Sequence, residues 1–108
     1  MDWRTKKCVP CEGGTPFIPE GRARELLGTL DGWSLRDGAL WKQLRFADFR
    51  AAVAFVNAAA EVAEQEGHHP DLFLHGYRFL DVTLSTHAIG GLSENDFILA
   101  AKLDALPR

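Results

Sequence analysis

The sequence predicts an α+β fold in the order α-β-β-α-β-β-α, and three observations lead there. Apolar residues recur at helical spacing in three segments, near residues 20–30, 48–66 and 93–106. Two pairs of strand-like runs separate these segments, the first around Asp37-Gly38 and the second around Gly76. Each pair has one strongly apolar face and one mixed face, as expected of a sheet covered on one side only.

The elements follow in order. Residues 1–19 contain Pro10, Pro16, Pro19, Gly13 and Gly14 with no sustained period, so they read as an irregular arm laid over the domain or left loose. Residues 20–108 form the single domain. Pro19 suits the first position of a helix, and Ala23, Leu26, Leu27 and Leu30 give that helix one buried face before Gly28 and Gly32 end it. Asp-Gly between β-like runs is a strong hairpin signal, placing strands at Trp33–Arg36 and Leu40–Phe46. Leu40, Lys42, Leu44 and Phe46 share one face of the second strand.

Asp48 fits the N-cap of a helix running to about Glu66. Its core stripe is expected at Phe49, Val53, Val56, Ala60 and Ala63, widened by Ala52, Phe55, Ala59 and Val62. Asn57, Glu61, Glu64 and His68 form the opposite, polar stripe. The second hairpin is expected at Asp71–His75 and Arg78–Thr86, with Leu80, Val82, Leu84 and Thr86 on one face. A turn-rich passage follows to Gly91. Ser93-Glu94-Asn95-Asp96 is a capping-box pattern opening the last helix, with Leu99, Leu103 and Leu106 along one side.

Composition excludes several function classes. The chain has 108 residues, enough for one domain, and is 46% hydrophobic and 25% charged. A net charge of −3 argues against a nucleic-acid surface. No apolar run reaches the roughly 18 residues of a membrane span, and Met1–Lys7 has no apolar signal core, so the expectation is a cytoplasmic protein. Cys8 and Cys11 make a lone C-x-x-C. Structural zinc takes four ligands, so this pair reads as two reduced thiols in the arm, with no metal.

The chemistry concentrates at Glu64-Gln65-Glu66-Gly67-His68-His69-Pro70. Glu64 stands four residues before His68 and shares its face while the helix persists. A carboxylate beside an imidazole fixes its tautomer and suits it to proton transfer near neutral pH. A solvated helix end is the competing reading. His75 reads as a surface histidine and Tyr77 as packing at a hairpin end, and Asp96 fits a helix cap as well as a catalytic group.

Taken together, Glu64-x3-His68-His69-Pro70-x6-Tyr77-x9-His87-x8-Asp96 resembles the signature of the pterin-4a-carbinolamine dehydratases, a family also known as dimerisation cofactors of a homeodomain transcription factor. Ser85-Thr86-His87 and Gly91-Leu92-Ser93-Glu94 resemble the family's second substrate segment and the start of its last helix. The arm Lys7–Gly14 resembles that of many microbial members. Gly67 and Asn95 depart from the residues often found there.

The resemblance implies one four-stranded antiparallel sheet with three helices on one face. It implies dehydration of 4a-hydroxytetrahydrobiopterin to quinonoid dihydropterin and water, without a cofactor, in the service of an aromatic amino-acid hydroxylase. His68, His69 and His87 would be catalytic, with His68 and His87 the proton-transfer pair and His69 bonded to the pterin or the leaving hydroxyl. Glu64 would orient His68, and Pro70 would fix the turn. Ser85 and Thr86 would contact the pteridine edge, with Asp96 the last residue of the substrate-binding set. A homodimer or homotetramer is expected, with no nucleic acid and no membrane as partner. The alternative on the same fold is a non-catalytic assembly or dimerisation factor, a transcription cofactor or a Rubisco assembly chaperone.

Overall fold

The computed structural model describes residues 2–9 and 16–108. Cys11, and with it the C-x-x-C as a unit, lies outside the described residues. Helices α1 (Glu20–Leu27), α2 (Phe49–Glu66) and α3 (Glu94–Asp104) alternate with hairpins β1 (Ser34–Arg36)/β2 (Ala39–Arg45) and β3 (Asp71–His75)/β4 (Phe79–Leu84). The strands form one antiparallel sheet in the order β1-β2-β4-β3, joined at its centre by β2 and β4 in the register Leu40↔Leu84 to Arg45↔Phe79. The α+β class and the strand pairing are therefore as expected.

Local chemistry accounts for the turns. Asp37 and Gly38 both have positive φ (52° and 77°), the backbone a two-residue hairpin requires. At the second hairpin the left-handed positions are Gly76 and Tyr77 (φ 55° and 54°), so β4 begins at Phe79 rather than Arg78. Asp48 caps α2 by accepting the Ala51 N–H at 2.8 Å. Pro19 stands at the N-cap of α1, one position before the expected first turn.

The core lies between the sheet face of Leu40, Leu44, Leu80, Val82 and Leu84 and the apolar faces of the helices. On α2 the buried stripe is Ala52, Phe55, Ala59 and Ala63. This corrects the expected phase: Phe49 is 53% exposed and Ala60 is exposed. In so alanine-rich a helix several stripes are about equally apolar, and the insertion of Phe55 against Phe46 decides between them. Lys42 shares the inward face of β2 but reaches its edge, where its ammonium pairs with Asp104 at 2.9 Å.

Residues 2–9 lie against the domain. Asp2 caps a short 3₁₀ turn, Trp3–Thr5. Trp3 is 2% exposed, packs on Phe97 and donates its indole N–H to the Thr29 hydroxyl at 2.7 Å. Ile18 is also in the core and pairs with Leu92.

Candidate active site

Gly67 sets the geometry of the site. It ends α2 in the left-handed conformation (φ 66°), so the chain leaves the helix and the side chains beyond it no longer follow helical spacing. The Glu64–His68 pairing expected from i,i+4 spacing is consequently lost. His68 turns inward and is 6% exposed, while His69 returns over the last helical turn and bonds Glu64 through Nε2. Glu64 therefore orients His69, and the partner of His68 is Asp96.

His68 Nε2 stands 2.6 Å from Asp96 Oδ1. A carboxylate only accepts, so Nε2 carries a proton, and in the neutral ring Nδ1 is the acceptor nitrogen. The other oxygen, Oδ2, accepts the Thr86 hydroxyl at 2.8 Å and the Ser93 N–H at 3.1 Å. Because the Thr86 proton goes to Asp96, the 2.8 Å contact between Thr86 Oγ and Ser93 Oγ has serine as donor. The Ser93 hydroxyl in turn accepts the Asn95 N–H at 3.3 Å. A network of donors thus converges on Asp96 from both sides, from the first turn of α3 through Ser93 and Thr86, and directly from His68. All of it is buried, which strengthens each bond and makes any unpaired member costly.

Asp96 is a capping-box residue, as expected, and also holds the His68 imidazole. At 0% exposure its carboxylate reaches His68 and lies outside the residues that line the cleft. The Thr86 hydroxyl donates to Asp96, while the residue itself also lines the cleft.

Gly67, His68, His69, Ser85, Thr86, His87 and Ala88 line an open cleft of about 240 Å³. His87 opens a 3₁₀ turn, His87–Ile89, on a loop closed by the Thr86 N–H to Gly91 C=O bond at 2.7 Å. The Ile18 N–H to Leu92 C=O bond at 2.8 Å ties this loop to the segment before α1. The three expected catalytic histidines and Ser85 are therefore neighbours, and Pro70 follows His69 just outside the lining residues. His75 and Tyr77 lie away from the cleft. His75 bonds Asp81 at 3.2 Å on the outer sheet face. Tyr77 is exposed at the hairpin tip beside Arg78.

Two polar residues that the sequence left unassigned sit directly behind the site. Asn95 is buried and holds Val9 through both amide atoms. The Glu66 carboxylate receives the Cys8 N–H and the Lys102 ammonium. Burial pushes this carboxyl up, but the hydrogen bonds from Lys102 and Cys8 and the charges of Lys102 and Lys7 outweigh it and hold the group below its ordinary value. Asn95 adjoins a recognised capping box, the one signal that could have drawn attention to it. Glu66 resembled any other charged residue at a helix end. Among the described residues no group of three or more His, Cys, Asp or Glu side chains is arranged to hold a metal ion.

Comparison with known proteins identifies the family. A family model described as pterin 4 alpha carbinolamine dehydratase matches residues 17–106. A relative from Nitrosomonas eutropha, named "Putative pterin-4-alpha-carbinolamine dehydratase", is 49% identical over 106 residues, covering 97% of this chain and 93% of its own. One of the same name from Halorhodospira halophila is 46% identical over 108 residues and 98% of each chain. Among solved structures, a transcriptional coactivator/pterin dehydratase from Brucella melitensis superposes with a TM-score of 0.78 at 38% identity, covering 83% of this chain and 97% of that one. A pterin dehydratase-like protein identified as a RuBisCO assembly factor in the alpha-carboxysome gives 0.54 at 27% identity, covering 68% and 83%. With its histidine cleft, its sheet order and a family match spanning most of its length, this chain belongs to the pterin-4a-carbinolamine dehydratase family.

Proposed function

We propose that this protein dehydrates a 4a-hydroxytetrahydropterin to the quinonoid dihydropterin and water. The observation that carries the reading is the convergence of His68, His69 and His87 on one cleft, with His68 backed by a buried carboxylate. In the reaction the C4a–O bond breaks and the hydroxyl leaves as water after gaining a proton. The N5 lone pair forms the C=N bond to C4a, and the N5 proton is lost. One acid and one base suffice, and each such transfer is typically worth about 10²–10⁴ in rate.

His68 and His87 are the proton-transfer pair. Asp96 fixes the Nε2–H tautomer of His68 and stabilises the imidazolium when Nδ1 gains a proton. Asp96 and Thr86 act through His68. His69, oriented by Glu64, hydrogen-bonds the pterin or the departing hydroxyl. Pro70 fixes the turn after the histidine pair, and Ser85 contacts the ring edge. The cleft falls below the roughly 300–1,000 Å³ of pockets that enclose a drug-sized ligand. It suits the flat bicyclic head and leaves the pterin side chain in solvent. The protein would then serve an aromatic amino-acid hydroxylase by recycling its oxidised cofactor.

A second reading, a non-catalytic assembly or dimerisation factor, is supported by the similarity to the RuBisCO assembly factor. Substitution separates the two. His68→Ala and His87→Ala should each lower dehydration of a 4a-carbinolamine far more than His75→Ala. Equal and negligible losses at all three would favour the non-catalytic reading.

A further inference from the structure

We infer that the arm segment Cys8–Val9 is a positioning element of this site, acting through Asn95 and Glu66 to hold the end of α2 that presents His68 against the start of α3 that presents Asp96. The inference rests on the dehydratase reading above. Val9 N–H donates to Asn95 Oδ1 at 3.0 Å, and Asn95 Nδ2 donates to the Val9 C=O at 2.8 Å. Such a pair fixes both the distance and the orientation of the Val9 backbone. One residue earlier, Cys8 N–H donates to Glu66 Oε1 at 2.9 Å, while Lys102 Nζ holds Glu66 Oε2 at 2.8 Å. Two successive residues of the arm therefore grip two helices at once through their backbone groups.

The grip falls on the catalytic elements. Glu66 is the last residue of α2, two before His68, and Gly67 between them is in the left-handed conformation. Asn95 immediately precedes Asp96, and its own N–H begins the buried chain through Ser93 and Thr86 to Asp96. A shift of the arm is thus transmitted to both sides of the 2.6 Å His68–Asp96 contact. Cys8 packs partly against the core and its thiol reaches the Asn95 C=O at 3.6 Å, but Val9 is not a core plug like Trp3. The Val9 side chain is 58% exposed, so this residue engages the domain through its backbone groups.

The test uses the full chain with Asn95→Ala, Val9→Pro and Val9→Ala. Asn95→Ala removes the clamp from the domain side. Val9→Pro removes the N–H from the arm side without touching the core, and Val9→Ala keeps that N–H. Positioning predicts that kcat falls about tenfold in the first two with KM within twofold of the parent, the pattern of an interaction realised in the transition state. Val9→Ala should retain the parent kcat. The ring titration of His68, followed by NMR, should move in the first two variants while that of His75 stays in place. Unchanged kcat and unchanged His68 titration in both would overturn the inference, as would a rise in KM alone or loss of folding in both. An inactive parent protein would instead refute the dehydratase reading, and the His68 titration would still decide the role of the arm.

Discussion

Replacement of Asp96 by Asn probes the catalytic geometry with little change of shape. Thr86 O–H and Ser93 N–H both donate to Oδ2, so the amide oxygen of the variant must take that side. The new NH₂ then faces His68 Nε2 across the 2.6 Å contact. Two N–H groups cannot share that gap. The imidazole proton must move to Nδ1, and the acceptor nitrogen required for proton transfer disappears. Hydrogen bonds to charged groups contribute about 1.5–3 kcal/mol, and Asp96 is fully buried, so water does not screen the loss. At about 1.36 kcal/mol per factor of ten, kcat should fall roughly 10–150-fold. Folding should survive, because the amide oxygen still caps α3. The assay is the ultraviolet absorbance change on dehydration of freshly generated 4a-carbinolamine, with the same substitution repeated in a His68→Ala background. Residues acting as a unit are not additive, so Asp96→Asn should cost nothing further there. A kcat within twofold of the parent, or a full additional loss on top of His68→Ala, would refute the proposed action of Asp96 through His68.

Three further outcomes are expected. The Glu66 carboxyl is held below its ordinary value of 4.5, so its stabilisation is present above that value and is lost as pH falls through the lowered one. Amide-exchange protection at Cys8 should persist down to about that ordinary value and collapse below it, and Glu66→Gln should shift or abolish the transition. The outer sheet face is mixed in polarity but exposes Phe73 at 62% and has Trp41 on the same side, aromatic groups suited to self-association. Light scattering should give at least twice the 12.0 kDa of one chain, and a 12 kDa particle at micromolar concentration would contradict a homodimer or homotetramer. Activity should survive exhaustive chelation, and replacing Cys8 and Cys11 by Ser should leave turnover within a few-fold, because serine keeps the Cys8 N–H that Glu66 accepts. A stoichiometric metal whose removal abolishes activity would count against this.

The elements that local chemistry dictates were legible in the sequence. Asp37-Gly38 specified a hairpin because both positions need positive φ, and Asp48 and Ser93 specified helix starts because their oxygens accept orphan N–H groups. The phase of α2 was not legible, since alanine on every side gives periodicity little contrast. The partner of His68 was hidden for a related reason. Spacing pairs Glu64 with His68 only while the helix lasts, and the left-handed Gly67 redirects both histidines. The exchange of partners gives His69 to Glu64, five residues away, and His68 to Asp96, 28 residues away, a contact that no local pattern encodes. The arm posed the same difficulty. Its prolines and glycines read as irregular chain, whereas Trp3 in the core and Val9 on Asn95 are long-range contacts.

The most direct measurement is the rate of 4a-carbinolamine dehydration at substoichiometric protein, followed over the pH range in which imidazoles ionise. The account predicts multiple turnovers per chain, a pH profile with ionisations in the imidazole range, and loss of the accelerated rate in His68→Ala. A rate equal to that of the unaided reaction across the range, from protein that is folded and keeps its cleft intact, would contradict it.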